Sequence, residues 1–255
     1  MTSIVFRRKE PGEGPGEAGS PVVLALDTAD LELALDWAEL AGPAIGMVKV
    51  GLELFCAHGA DAVRALRGEG HRVMLDLKLH DIPATVARAV EAAAQLDVEL
   101  VTVHAAGGRA MLEAAVAAAA GRVDVAAVTV LTSLAPPDLA ALGLGEAAAA
   151  AERLARLAVL AGCPALVCSP LEARRLQAAA GRSAPHAAGE RVRLVCPGIR
   201  LDTGAGGPDD QARVATPAEA VRAGADWLVV GRPITRAPDP AAAARAVRDE
   251  AVAAR

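Results

Sequence analysis

Val73-Met-Leu-Asp-Leu-Lys-Leu-His-Asp-Ile-Pro-Ala-Thr-Val86 is the stretch that decides the fold. It reads as a short buried strand, Val73–Leu77, with charge at its C-terminal end, then a turn, then a helical pattern over 84–96. That is one βα unit, and the chain repeats it. Further strand-like runs lie at Val22–Leu26, Ile45–Val50, Leu100–Val103, Val125–Val130, Ala165–Cys168, Arg193–Cys196 and Trp227–Val230. Helical patterns follow near 31–41, 58–69, 108–120, 146–161, 170–180, 216–223 and 239–254. Strict alternation predicts a parallel sheet. Eight units in 255 residues predict an α/β fold of the (β/α)8 TIM-barrel type, a single domain over 21–255. An open doubly wound sheet is the alternative, weakened because no G-x-G-x-x-G follows the first strand.

Composition narrows the function. About half the residues are apolar but aromatics make up 2%, so the core must be aliphatic. A net charge of −5 argues against a general nucleic-acid or membrane-surface binder, and an anionic substrate would need a local basic pocket. No apolar run is long enough to span a bilayer. Cys56, Cys163, Cys168 and Cys196 form no CxxC pair and read as buried thiols of a cytoplasmic protein. Residues 1–20 carry Arg7-Arg8-Lys9 and a Pro/Gly/Glu stretch, and are expected to be a flexible N-terminal tail.

Barrel chemistry belongs at the C-terminal ends of strands, and the polar residues obey this. Asp27 follows strand 1, Lys49 ends strand 2, and Asp76 and Lys78 end strand 3. Thr132 and Ser133 follow strand 5, Arg200 strand 7, and Gly231-Arg232 strand 8. The chain's 26 basic residues include only three lysines, Lys9, Lys49 and Lys78, against a background of arginine. Lysine should survive where a titratable amine is required, because arginine does not release its proton at useful pH. Asp76 and Lys78 are two apart, so a strand points both to one face. With Lys49 and the loop residue Asp81, four charges of alternating sign would surround one point. His80 belongs to the turn, and His104 reads as a hydrogen-bonded core histidine that could reach the site. No histidine shows metal-ligand spacing, so no metal is expected. A second constellation, Cys196-Pro-Gly-Ile-Arg200 with Val229-Val-Gly-Arg232, sits where barrels often hold phosphate. Gly198 and Gly231 allow close backbone approach, Arg232 offers a bidentate fork, and the loop 201–210 can close as a lid.

Asp76-Leu-Lys-Leu-His-Asp-Ile-Pro resembles the signature of the orotidine 5′-phosphate decarboxylase family in its bacterial form. The resemblance covers nearly the whole chain from Val22 onward, through Lys49-Val-Gly, Leu131-Thr-Ser133, Pro197-Gly-Ile-Arg200, Asp210-Gln211 and Val230-Gly-Arg-Pro233. It implies cofactor-independent conversion of orotidine 5′-phosphate to uridine 5′-phosphate and CO2. By that resemblance Lys78 donates a proton to C6 of the pyrimidine and Asp76 crowds the departing carboxylate. Lys49 and Asp81 complete the tetrad, Asp27 and Lys49 hold ribose hydroxyls, and Thr132 meets the pyrimidine edge. Arg200, Gln211, Gly231 and Arg232 surround the phosphate. The family also implies a homodimer in which Asp81 and Thr85 reach the neighbouring site. Ala84 departs from the pattern, which usually has asparagine there. Asp-x-Lys-x-x-Asp alone is shared by metal-assisted sugar-phosphate lyases and aldolases. Those, or a phosphate-binding barrel without turnover, are the alternatives.

Overall fold

The computed structural model describes residues 19–181, 191–201 and 214–255. Eight parallel strands close into a barrel in sequence order. They are β1 (Val22–Leu26), β2 (Met47–Val50), β3 (Val73–Leu79), β4 (Leu100–His104), β5 (Asp124–Val128), β6 (Ala165–Val167), β7 (Arg193–Cys196) and β8 (Trp227–Val230). β1 pairs with both β2 and β8, so no strand edge is left open. The helices are α1 (Leu31–Ala41), α2 (Leu52–His58), α3 (Ala60–Gly68), α4 (Pro83–Ala94), α5 (Arg109–Ala119), α6 (Pro136–Ala141), α7 (Ala147–Leu160), α8 (Pro170–Gly181), α9 (Pro217–Arg222), α10 (Arg232–Thr235) and α11 (Pro240–Ala253).

The core has two layers because strand side chains alternate. Val23, Ala25, Met47, Met74, Leu100, Val128, Val167, Val195 and Val229 belong to the cluster inside the barrel. Val22, Leu24, Leu26, Val48, Leu75, Val101 and Leu194 point outward to the helices. Small residues let those helices sit close to the sheet. Ala34, Ala38 and Ala41 of α1, spaced as one helical face, are each 0% exposed. The N-terminal mouth is closed by ion pairs, Arg72–Glu99, Arg193–Asp124 and Arg191–Asp226. The Arg72 guanidinium also lies 5.4 Å from the centroid of the Trp227 ring.

Several sequence expectations need correction. The helix expected over 58–69 is α3, and it is preceded by a short helix that was not expected, α2, from which Gly59 at φ +58 separates it. β2 starts two residues late, after a 3-10 turn over Gly42–Ala44. β5 ends at Val128, because Thr129 turns to bond Val167 through both its backbone N–H and its hydroxyl. Cys56 is exposed, not buried. Cys163 behaves as expected, and burial pushes its thiol up to about 12. Of the N-terminal tail, residues 1–18 lie outside the described residues. Ser20, assigned to that tail, is buried, and its Oγ donates to the Ala44 carbonyl at 2.7 Å.

Candidate active site

The strands deliver their polar residues to the C-terminal mouth, around a cavity of about 720 Å³. Its floor is apolar, formed by Ala25, Met74, Val128, Val167 and Val229. On one wall a chain of alternating charge crosses three strands. Lys49 Nζ donates to Asp27 Oδ1 at 2.9 Å and lies 3.6 Å from Asp76 Oδ2. Lys78 Nζ donates to both Asp76 oxygens, at 2.9 and 2.8 Å. The Asp27 side chain is 60% exposed at the rim, whereas that of Asp76 is 11% exposed.

Burial alone would raise the Asp76 pKa. The nearby charges of Lys49 and Lys78, with hydrogen bonds from Lys78 and Thr102, outweigh burial and hold the carboxyl below its ordinary value. Asp76 is thus an anion at neutral pH inside a mostly apolar barrel. Thr102 was not foreseen, because a threonine in an apolar strand run reads as ordinary β-sheet packing. Its hydroxyl donates to Asp76 Oδ1 at 2.9 Å.

Gly51, just beyond β2, faces the charged chain closely. A Cβ there would lie 2.8 Å from Lys49 Nζ and 3.1 Å from Asp27 Oδ1, so the Lys49 ammonium would have to shift to admit it. At Gly231 the nearest protein atom to a would-be Cβ is Ala25 Cβ at 3.4 Å. The protein's own packing therefore does not demand glycine at that position. Gly198 does require it, at φ +80.

The second constellation, after β7 and β8, lines the same cavity. Arg200, Gly231 and Arg232 line the cavity, as do Thr132 and the unforeseen Trp37 and Arg236. Arg200 is fixed by its backbone, whose N–H donates to the Ala215 carbonyl at 2.9 Å, while Ala215 N–H returns to Gly198 at 3.0 Å. Gln211 and the expected lid, from 202 onward, lie outside the described residues.

Asp81 and Thr85 do not join this group. Asp81 is exposed beyond β3, and its Oδ1 accepts the Ile82 N–H at 2.6 Å. Thr85 lies in the first turn of α4, and neither residue lines the cavity. Within one chain, three of the four charges expected around one point therefore meet, joined by Asp27. His104 ends β4, its ring centroid 5.4 Å from that of His80. Burial, with the charges of His80 and Lys78, pushes its imidazole below the usual value against the pull of Asp76. Among the described residues no group of three or more His, Cys, Asp or Glu side chains could hold a metal ion, and no helix is long and apolar enough to cross a membrane.

A family model described as orotidine 5′-phosphate decarboxylase / HUMPS family matches residues 20–247. The chain belongs to this family. It is 54% identical over 227 residues to the orotidine 5′-phosphate decarboxylase of Anaeromyxobacter sp. (strain K), covering 89% of this chain and 96% of that one. It is 52% identical to the corresponding protein of Thermobifida fusca, with 91% and 95% covered. Among solved structures, the orotidine 5′-phosphate decarboxylase of Lactobacillus acidophilus superposes with a TM-score of 0.76 at 34% identity, covering 91% of this chain and 99% of that one. That family membership spans the strand-end charges and the Arg200 and Arg232 wall alike.

Proposed function

We propose that this chain decarboxylates orotidine 5′-phosphate to uridine 5′-phosphate and CO2, the last step of de novo pyrimidine nucleotide synthesis. The observation that carries the reading is the ammonium of Lys78, clamped by both oxygens of a buried carboxylate over an apolar floor. Losing CO2 from C6 leaves an electron pair in the ring plane with no conjugated sink. A preorganised cation at that position stabilises the developing charge in a site that excludes water. The C6–carboxylate bond breaks, CO2 departs, and the pair stays on C6. It then takes a proton from Lys78 Nζ, and the resulting amine regains one from solvent. No cofactor takes part in this sequence. Asp76, already anionic, crowds the substrate carboxylate and holds Lys78 in line.

Lys49 and Asp27 hold the ribose hydroxyls, and Thr132 meets the pyrimidine edge. Arg200, Gln211, Gly231 and Arg232 receive the phosphate, whose remote binding energy lowers the barrier at C6. The protein acts as a cytoplasmic homodimer, with Asp81 and Thr85 serving the partner's site. Their exposed position, away from their own cavity, supports that assignment. The test is an absorbance assay of the purified protein with orotidine 5′-phosphate, with and without EDTA. Turnover undiminished by chelator is expected. Turnover abolished by it would favour a metal-assisted lyase or aldolase, and nucleotide binding without turnover would favour an inactive phosphate-binding barrel.

A further inference from the structure

The pairing of β3 with β4 breaks in the middle of the site. Leu75 is opposite Val101 and Leu79 is opposite Val103. Three residues of β3, Asp76, Leu77 and Lys78, therefore face the single residue Thr102 of β4. Lys78 absorbs the excess length by adopting φ +50, a left-handed backbone disfavoured for any residue with a Cβ. Its backbone N–H donates to Thr102 Oγ1 at 2.8 Å, a side-chain oxygen in place of a strand carbonyl. The same hydroxyl donates to Asp76 Oδ1 at 2.9 Å. With one lone pair occupied by the Lys78 N–H, the hydroxyl proton is directed at the carboxylate. Thr102 is 0% exposed, so water does not compete for either bond.

We infer that Thr102 is a positioning residue for the proposed decarboxylation: its hydroxyl fixes the bulge that aims Lys78 and orients the Asp76 carboxylate against it. This rests on the decarboxylase reading above. Thr102 touches both members of the charged pair while standing behind them, on a strand that contributes no charge to the chain of lysines and aspartates. A threonine needed only for packing could be replaced by valine, which has nearly the same shape and β-branching. A threonine needed for its hydroxyl could be replaced by serine and not by valine.

The experiment measures Thr102→Val and Thr102→Ser beside the wild type, recording kcat, KM for orotidine 5′-phosphate and the Kd of uridine 5′-phosphate. Loss of a buried hydrogen bond to a charged group should lower kcat of Thr102→Val about tenfold to a hundredfold. KM and the product Kd should stay within about threefold, because the ribose and phosphate contacts are elsewhere. Thr102→Ser should keep kcat within about threefold of wild type. Should Thr102→Val not fold, Thr102→Cys replaces it, since a thiol is a weak donor and acceptor, and the same kcat loss is expected. Wild-type kcat in the valine or cysteine variant would overturn the inference, as would a serine variant as impaired as valine. A wild-type protein inactive on orotidine 5′-phosphate would instead bring down the decarboxylase reading, and this inference with it.

Discussion

Removing the Lys78 amine should separate catalysis from folding. In Lys78→Ala the two bonds from Nζ to Asp76 are lost. The carboxylate is not stranded, because Lys49 remains 3.6 Å away and the Thr102 hydroxyl 2.9 Å away. Stripping the sole partner from a buried ion pair costs about 3–5 kcal/mol. With Lys49 still in place the cost should fall well below that, to roughly 1 kcal/mol. Turnover should drop at least a thousandfold, about 4 kcal/mol, since the proposed reaction takes the C6 proton from Lys78. Lys78→Arg should fare little better, because a guanidinium is a poor acid. Position 78 also sits at φ +50, so Lys78→Gly removes a strain of about 1–2 kcal/mol that alanine retains. After the entropy that glycine gains on unfolding, the glycine variant should still be more stable than the alanine variant, by up to about 1 kcal/mol. Decarboxylation followed by absorbance gives the rates, and urea unfolding gives the stabilities. Near-normal turnover by Lys78→Ala would remove Lys78 as the proton donor, and a glycine variant no more stable than alanine would refute the strain argument.

Arg232→Ala should cost about 2–4 kcal/mol in kcat/KM for the phosphorylated substrate but little for the nucleoside. Equal losses on both would mean that Arg232 is not the phosphate clamp. Gly51→Ala should drive Lys49 off Asp27 and raise KM about tenfold or more without unfolding the protein, and unchanged kinetics would contradict the clash. Mixing inactive Asp81→Ala and Lys78→Ala homodimers should restore about a quarter of wild-type activity, because half the dimers would hold one intact site. Mixtures that stay inactive despite verified subunit exchange would place Asp81 in its own chain's chemistry. Burial, opposed by Glu69, lowers the His71 pKa, and burial with His80 and Lys78 lowers that of His104. Groups whose folded pKa is depressed lend stability above their unfolded value and lose it as pH falls, so melting temperature should decline from about pH 7 to about pH 5.5. His104→Gln should flatten part of that decline, and an unaltered profile would mean that His104 is not buried as a neutral ring.

The barrel was legible because its signal repeats eight times, and most strands begin and end within two residues of where β-branched runs place them. The misses share a cause. Leu52–His58, Pro136–Ala141 and Arg232–Thr235 are helices of four to seven residues, too short for an apolar period to declare itself. At the site, charge was legible because Lys49, Asp76 and Lys78 interrupt apolar strands. Alternation also placed Asp76 and Lys78 on one face, and they do meet. The bulge that joins them was not legible, since nothing in Leu-Asp-Leu-Lys-Leu marks a left-handed residue. Thr102 was hidden for the same reason, its role being set by a register break between strands and not by its own neighbours in sequence.

That register break accounts for how the half-buried Lys78 ammonium is held so close to its buried partner. In a regular strand, residues two apart stand about 6.6 Å from each other and send their side chains out in parallel. Asp76 and Lys78 would then share a face without the terminal groups being driven together. The left-handed turn at Lys78 folds the strand end back, and the amine closes on both carboxylate oxygens. The strain of that turn persists because the Thr102 bonds and the ion pair together over-determine it. The run Asp27–Lys49–Asp76–Lys78 sums to zero charge, so the apolar floor beneath it faces no net ion. The cation at the end of the run stands at the open cavity. Arginine would complete the same electrostatic sum, and this chain uses arginine almost everywhere else. That both cations in this run are lysines is therefore best explained by the need for a compact amine, and at Lys78 for one that can give up its proton.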